Sequence, residues 1–188
     1  YMVFASFYDK RSFWSWPPKL PDELTTAAYD WMFKYTNFSY YYLNSTVIAV
    51  TSMALNLIIS SLAGYGLSRF KWRLSDPIIR IIMLTYMFPF FGLVIPLFRV
   101  FYSIGIYDNL VSLFILYTAF NIPFNTVLLA GYFQSIPVEI SEAALIDGAG
   151  HLAIFRKVIL PNAAPGLVTA AIFHYLWCWS EYFFSAIF

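Results

Sequence analysis

The chain has 188 residues, of which 61% are hydrophobic and 11% are charged, and its formal net charge is +1. Soluble domains carry roughly 25% charged residues, so this composition predicts a membrane protein, and it gives no sign of the basic patch expected of a nucleic-acid-binding protein. A single cysteine excludes an intrachain disulfide, and with only two histidines a zinc site is not expected.

The first predicted element, residues 1–8, has the composition of the end of a first transmembrane helix. Residues 9–42 are rich in aromatic side chains and contain three prolines, which predicts an extracytoplasmic loop with one short helix around residues 22–33. Both ends of the chain are apolar. We therefore expect further sequence on each side, and we expect this fragment to lack terminal helices of a larger helix bundle.

Four stretches then follow that are long and apolar enough to cross a membrane, since a spanning helix needs about 20 such residues. They are residues 43–67, 78–102, 110–133 and 165–188. The second and third contain internal prolines, which kink membrane helices where neighbours satisfy the freed backbone groups. Residues 43–188 are thus predicted to form an all-α transmembrane domain.

Charge sets the predicted orientation. The basic cluster Arg69–Arg73 lies on the same side of the membrane as the polar stretch 134–164, and positive residues at helix ends favour the cytoplasm. Lys10 and Arg11 lie near a helix end on the opposite side and weaken this asymmetry. The sequence predicts that residues 134–164 are a cytoplasmic loop.

The third apolar stretch carries two amides, Asn121 and Asn125, on either side of Pro123. Amides are costly against lipid and, four residues apart, they are expected to share one helix face toward protein or water. Two interpretations stay open: the amides hold neighbouring helices together, or they line a translocation path. Tyr175 and Glu181 in the fourth stretch are further candidates for such a path.

The polar stretch 134–164 is predicted to contain two short helices. Pro137 suits the first turn of the first helix, which runs to about Asp147 and stops at Gly148 in a left-handed cap. The second helix is expected over residues 150–160, ended by Pro161. The first helix has a face of small residues, Ala143 and Ala144, which indicates close docking to a protein. A helix lying on the lipid surface is the alternative.

Residues 142–161, EAALIDGAGHLAIFRKVILP, resemble the cytoplasmic loop signature of ABC importer permeases, E-A-A-x3-G-x9-I-x-L-P. Val158 replaces the usual isoleucine. Other stretches between Asn44 and Phe188 resemble the carbohydrate-importing branch, specifically its maltose/trehalose-type second permease. An asparagine often precedes the acid near the end of the penultimate span in that branch, whereas here Ser180 precedes Glu181, so the role of Glu181 is open. The residues that match the signature are Glu142, Ala143, Ala144, Gly148, Leu160 and Pro161.

The resemblance implies the type I ABC importer permease fold, a helix bundle with six spans in the whole subunit and a cytoplasmic two-helix coupling loop. It implies a multi-pass protein of a prokaryotic cell membrane that forms half of a sugar translocation path. The residues that would couple this path to an ATPase are Glu142, Ala143, Ala144, Asp147, Gly148, Leu160 and Pro161.

The implied partners are a second permease, two ATP-binding cassette ATPase subunits and an extracytoplasmic sugar-binding protein, within membrane lipid and without nucleic acid. The chain contains no G-x-x-x-x-G-K-[ST] phosphate loop. We therefore expect a non-catalytic subunit that binds no cofactor or metal, with ATP and Mg²⁺ used by the partner ATPase.

Two alternatives stay open. A permease of this class can carry a solute other than a sugar. The chain could also be an ion-coupled secondary transporter, since His174, Cys178 and Glu181 fall on one helical face and could relay protons. Helix pairing with the second permease would explain the same row of residues.

Overall fold

The computed structural model describes residues 2–8, 14, 24–70, 72–87 and 89–188, and all structural statements concern these residues. Its longer regular elements are helices, and the chain divides into two compact units, Tyr1–Ser45 and Thr46–Phe188. The helices are α1 (Met2–Ala5), α2 (Ala27–Tyr35), α3 (Phe38–Arg69), α4 (Ser75–Leu84), α5 (Val94–Ser103), α6 (Leu110–Ser135), α7 (Val138–Ile146), α8 (His151–Asn162) and α9 (Ala164–Ser180).

The first unit contains α1 and α2. The Ser6 Oγ and Tyr29 OH atoms lie 2.6 Å apart, and Tyr8 forms an antiparallel bridge with Leu24. The short helix expected around residues 22–33 is found as α2, a few residues later. Most of the predicted loop between residues 9 and 23 lies outside the described residues.

Two of the four predicted spans are confirmed as continuous helices. Among the described residues, α3 and α6 are each long and apolar enough to cross a membrane, and the α8–α9 pair adds a third span when it is counted as one bent element. Helix α3 begins at Phe38, five residues before the predicted start. Helix α6 continues through Pro123 without a break.

The predicted second span, residues 78–102, is wrong as a single helix. Helix α4 ends at Leu84, two short 3₁₀ turns follow, and α5 begins at Val94. Pro89 lies between the turns with extended backbone, φ −67° and ψ 107°. Its missing N–H prevents a continuous hydrogen-bond ladder there, whereas Pro96 falls in the first turn of α5, where no such bond is lost.

The predicted fourth span, residues 165–188, is also wrong in its extent. Helix α9 ends at Ser180, and Glu181 adopts an extended backbone with ψ 125°. The Glu181 carboxylate accepts hydrogen bonds from the N–H groups of Phe184 (2.7 Å) and Ser185 (3.2 Å). This side chain caps the next turn and thereby ends the helix that precedes it.

Helix α3 packs through a row of small and polar residues spaced four apart, which we call the α3 seam: Ser52, Asn56, Ser60, Gly64 and Ser68. A Cβ atom at Gly64 would lie 3.1 Å from the backbone of both Thr126 and Ala130. The backbones of α3 and α6 therefore meet there closely, as small residues permit in membrane helix pairs.

Candidate functional site

The turn between α7 and α8 is a Schellman motif with Gly148 at its left-handed position. Ala149 N–H donates to Ala144 O and Gly148 N–H donates to Leu145 O, both at 3.0 Å. Gly148 has φ +82°, a conformation that glycine adopts without the steric cost of a Cβ. The predicted left-handed cap is confirmed, with Asp147 as the last residue before it.

The open surface of α7 carries both acidic and apolar side chains. Glu142, Ala143 and Asp147 are exposed, while Ala144 is half-buried against the underlying core. Ile146 is 88% exposed, and Leu145 lies beside it at 44%. Contiguous apolar surface next to carboxylates is typical of a protein-docking face.

Beneath this surface an aromatic cluster fixes the loop to the long helices. The Phe155 ring in α8 lies 4.9 Å from the ring of Tyr65 in α3 and 6.3 Å from that of Phe133 in α6. The guanidinium Nη2 of Arg69 donates to Ile136 O at 2.8 Å, at the carboxyl end of α6. A cation there opposes the negative end of the helix dipole. The loop is thus attached to both spans.

The expected stop of the second loop helix at Pro161 is wrong. Helix α8 runs to Asn162, and its residues Phe155–Ile159 are π-helical, with Leu160 N–H donating to Phe155 O. The wider π turn gives room for the proline ring, which in a regular α-helix clashes with the carbonyl four residues earlier. Leu160 is half-buried on the loop core and Pro161 is exposed. The chain bends instead at Ala163, by 76°.

Asn125 lies in the α3–α6 contact. It is fully buried and its Nδ2 donates to Asn56 Oδ1 at 2.6 Å, while Asn56 Nδ2 donates to Thr118 O at 2.8 Å. The two amides thus link α3 to α6 through one hydrogen bond between side chains and one from a side chain to the backbone. The contacts of Asn125 are those of a residue that braces neighbouring helices.

Asn121 faces a different environment. It lines a cavity of about 470 Å³ between α6 and α9, and its Nδ2 is buried without a hydrogen-bond partner among the described residues. Four residues advance a helix by about 40° beyond a full turn, which separates Asn121 from Asn125. The other residues lining this cavity are Phe120, Phe124, Phe173, Leu176, Trp177 and Ser180.

The two candidates on and after α9 take part in packing. The Tyr175 ring stacks on Trp179 at 5.7 Å and does not line the cavity. The Glu181 carboxylate accepts a hydrogen bond from Tyr117 OH at 2.7 Å, in addition to capping the turn that follows. Contact with a solute stays a prediction for both.

His174, Cys178 and Glu181 do not all share one hydrogen-bond partner. Ser52 Oγ of the α3 seam lies 3.2 Å from His174 Nε2 and 3.6 Å from Cys178 Sγ, so both side chains pack inside this chain. Glu181 belongs to the separate contact with Tyr117. The sequence reasoning missed the α3 seam, although its four-residue spacing was a readable signal.

The family model described as "Binding-protein-dependent transport system inner membrane component" matches residues 56–188. The chain is 32% identical to the diacetylchitobiose uptake system permease protein NgcG of Streptomyces coelicolor, over 97% of this chain and 60% of that protein. It is 34% identical to the trehalose transport system permease protein SugB of Mycobacterium tuberculosis, over 86% of this chain and 59% of that protein.

A solved structure agrees with the fold. The chain is similar to a chain of a bacterial ABC transporter involved in the import of the acidic polysaccharide alginate, with a TM-score of 0.85 and 29% identity, over 98% of this chain and 65% of that one. The chain spans about three fifths of the length of the two permease relatives. Its helices therefore have the arrangement of an ABC importer permease.

Proposed function

The chain belongs to the family of binding-protein-dependent transport system inner membrane components, and we propose on that premise that it is a permease subunit of an ATP-driven sugar importer. The observation that carries the proposal is the exposed α7 surface on a loop anchored to the spans. Relatives named for the uptake of diacetylchitobiose and of trehalose support saccharides as the substrate class.

The α7–α8 loop is the proposed coupling element. Its exposed Glu142 and Ala143 would contact an ATPase subunit in the cytoplasm, and the Schellman turn at Gly148 would hold α7 at a fixed angle to α8. Movement of the ATPase would then be transmitted through Phe155 to Tyr65 and Phe133, and so to the spans. Alternating access of this kind is rocking of helix bundles around a solute site.

The proposed solute path passes the cavity that Asn121 lines. Its unpartnered amide can donate to a hydroxyl group, and the aromatic faces beside it suit the apolar faces of a pyranose ring. Asn125, Tyr175 and Glu181 would shape this path indirectly, by holding α6 and α9 in place.

The subunit itself would be non-catalytic. We propose that ATP and Mg²⁺ are bound by two ATPase subunits, that a second permease completes the path, and that an extracytoplasmic binding protein delivers the sugar. No part of this scheme needs a cofactor or metal on the chain itself.

The test is uptake by the assembled complex in proteoliposomes. We expect saccharide uptake that requires ATP on the loop side together with the binding protein, and that persists when ionophores dissipate proton and sodium gradients. Uptake driven by an ion gradient in the absence of ATP would contradict the proposal.

A further inference from the structure

Two cavities adjoin where α3 ends and α4 begins. One is a polar cleft of about 940 Å³ that reaches the start of α7, and the other is an apolar groove of about 540 Å³ along α3 and α4. Leu67 and Trp72 line both. A polar and an apolar cavity thus adjoin at one end of the spans, an arrangement that matches an amphipathic ligand.

The cleft contains two cationic and two anionic side chains, Arg69, Arg73, Asp76 and Glu139. None of them forms a hydrogen bond or ion pair with another among the residues the structure describes. The single hydrogen bond recorded for the Arg69 guanidinium goes from Nη2 to Ile136 O, and its Nε is buried without a partner. Four charged groups thus line one cleft without an ion pair among them in the part of the chain that the structure describes.

The groove has room for an unbranched apolar chain. Its walls are apolar, from Ala63 and Phe70 on one side to Ile78 and Ile82 on the other. A Cβ atom built at Gly66 would meet nothing within 4 Å. The glycine therefore leaves open space against the helix backbone, in contrast to Gly64 two residues earlier.

We propose that cleft and groove together bind one phospholipid with a zwitterionic phosphoethanolamine headgroup. Its phosphate would lie at Arg69 and Arg73, its ammonium at Asp76 and Glu139, and one acyl chain in the groove. A purely anionic headgroup fits less well, because it offers nothing to the two carboxylates. Trp72, exposed between the two cavities, has the side chain that favours the membrane–water interface.

The site would tie the lipid to the coupling loop, because Glu139 belongs to the first turn of α7 and Asp76 to the first turn of α4. The inference rests on the proposed function only for its assignment to the cytoplasmic leaflet. Lipid binding itself is measured without ATP or sugar, so a failure of transport and a failure of lipid binding can be told apart.

The first test is lipid retention by the full-length subunit in its assembled complex. The complex is exchanged into mixed micelles that contain phosphatidylethanolamine and phosphatidylglycerol, and bound lipid is counted by native mass spectrometry. Gly66→Leu fills the groove and should lower retained phosphatidylethanolamine about tenfold. The matched control is Gly131→Leu, since Gly131 is also a helical glycine at which a built Cβ would meet nothing within 4 Å, but it is exposed and lies outside the groove. It should retain lipid as the unmodified complex does.

Headgroup variants test the charges separately. Arg73→Gln removes one charge-assisted contact with phosphate and should weaken the binding of both lipids about tenfold. It remains informative if Gly66→Leu fails to assemble, because Arg73 is exposed. Glu139→Gln should reduce the preference for phosphatidylethanolamine over phosphatidylglycerol.

Two outcomes would overturn the inference. One is equal retention of both lipids by the unmodified complex. The other comes from a benzophenone side chain placed at position 66: we expect ultraviolet light to link it to lipid, and a link to another protein helix would show that the groove holds protein.

Discussion

The α3 seam and the open surface of α7 differ in which side chains they bury. In the seam, Ser52, Asn56 and Ser60 are fully buried, whereas on α7 Ile146 is 88% exposed. Within a bilayer, lipid cannot satisfy polar groups, so they turn inward to other helices. On the α7 surface, an exposed apolar side chain such as Ile146 is typical of a protein-docking face. The two regions therefore differ in what they bury: the seam buries polar side chains, and α7 exposes an apolar one.

The two regions also differ in what holds them. Hydrogen bonds between membrane helices contribute on average only about 0.6 kcal/mol each, so the seam depends on the close backbone approach at Gly64. The α7–α8 loop depends on a turn and an aromatic cluster beneath it. Substitutions should therefore affect assembly in the seam and coupling in the loop.

The largest effect is expected from Gly64→Leu, which would break the seam. The added side chain meets backbone atoms of Thr126 and Ala130 at about the Cβ position, and backbone cannot move aside as a flexible side chain can. Overpacking costs about 1–3 kcal/mol or more, and we expect loss of the assembled complex on size-exclusion chromatography. The matched control, Gly131→Leu on α6, has open space around the added side chain and should assemble normally. Equal assembly of both variants would refute the role of the seam.

Ala143→Trp tests the second region, the exposed face of α7. A bulky ring on the exposed α7 face should not disturb this chain, but it would overfill a close contact with an ATPase. We expect normal assembly of the permease pair and uptake reduced about tenfold, since overpacking costs about 1–3 kcal/mol. Ala54→Trp, at an exposed position of α3, is the control and should transport normally. Undiminished uptake by Ala143→Trp would contradict docking at this face.

A smaller effect is expected at the turn between α7 and α8. Gly148 has φ +82°, so Gly148→Val places a β-branched side chain in a conformation that costs about 1–2 kcal/mol for non-glycine residues. Gly148→Asn should be milder, because asparagine tolerates this region. We expect the ratio of sugar transported to ATP hydrolysed to fall more for valine than for asparagine. If the two ratios are equal, the backbone conformation is not what couples the loop.

The smallest and most selective effect separates the two amides of α6. Asn125→Leu leaves Asn56 without its amide partner in the seam and should lower the free energy of unfolding by about 1 kcal/mol. The solute selectivity of the surviving complexes should stay unchanged. Asn121→Leu should leave stability unchanged and alter the apparent affinity for the sugar. Melting curves and competition uptake assays distinguish these outcomes. Identical behaviour of the two variants would contradict the separation seen in the structure.

Hydropathy alone was enough to predict α3 and α6, since uninterrupted apolar length is what a bilayer requires. The left-handed cap at Gly148 was equally predictable, because glycine is the residue that most often occupies this position after a helix. Both features are local. Their physical cause lies within a few residues of the chain.

The errors arose where a particular turn, a side-chain cap or a tertiary contact overrides the simple sequence pattern. Pro161 indicates a stop in isolation, yet a π turn accommodates it. Glu181 lies in an apolar run that hydropathy extends to residue 188, yet its carboxylate caps the next turn and holds Tyr117. Asn121 and Asn125 share a face only approximately, and which neighbour each one meets depends on where α3 and α9 pack. The contacts of Glu181 with Tyr117 and of Asn125 with Asn56 join distant parts of the chain, so spacing along one helix does not encode them.

The 76° bend at Ala163 makes α8 and α9 the two arms of an angled lever. Ala163 is only 1% exposed within the loop core, and a rigid rotation about this enclosed point would move both helices together. At 1.5 Å per residue the arms are about 18 Å and about 25 Å long. A displacement at the loop end of α8 would therefore reach the far end of α9 enlarged by about 1.4-fold and turned nearly at right angles. A displacement of α8 along the membrane surface would in this way become a movement of α9 across the proposed solute path.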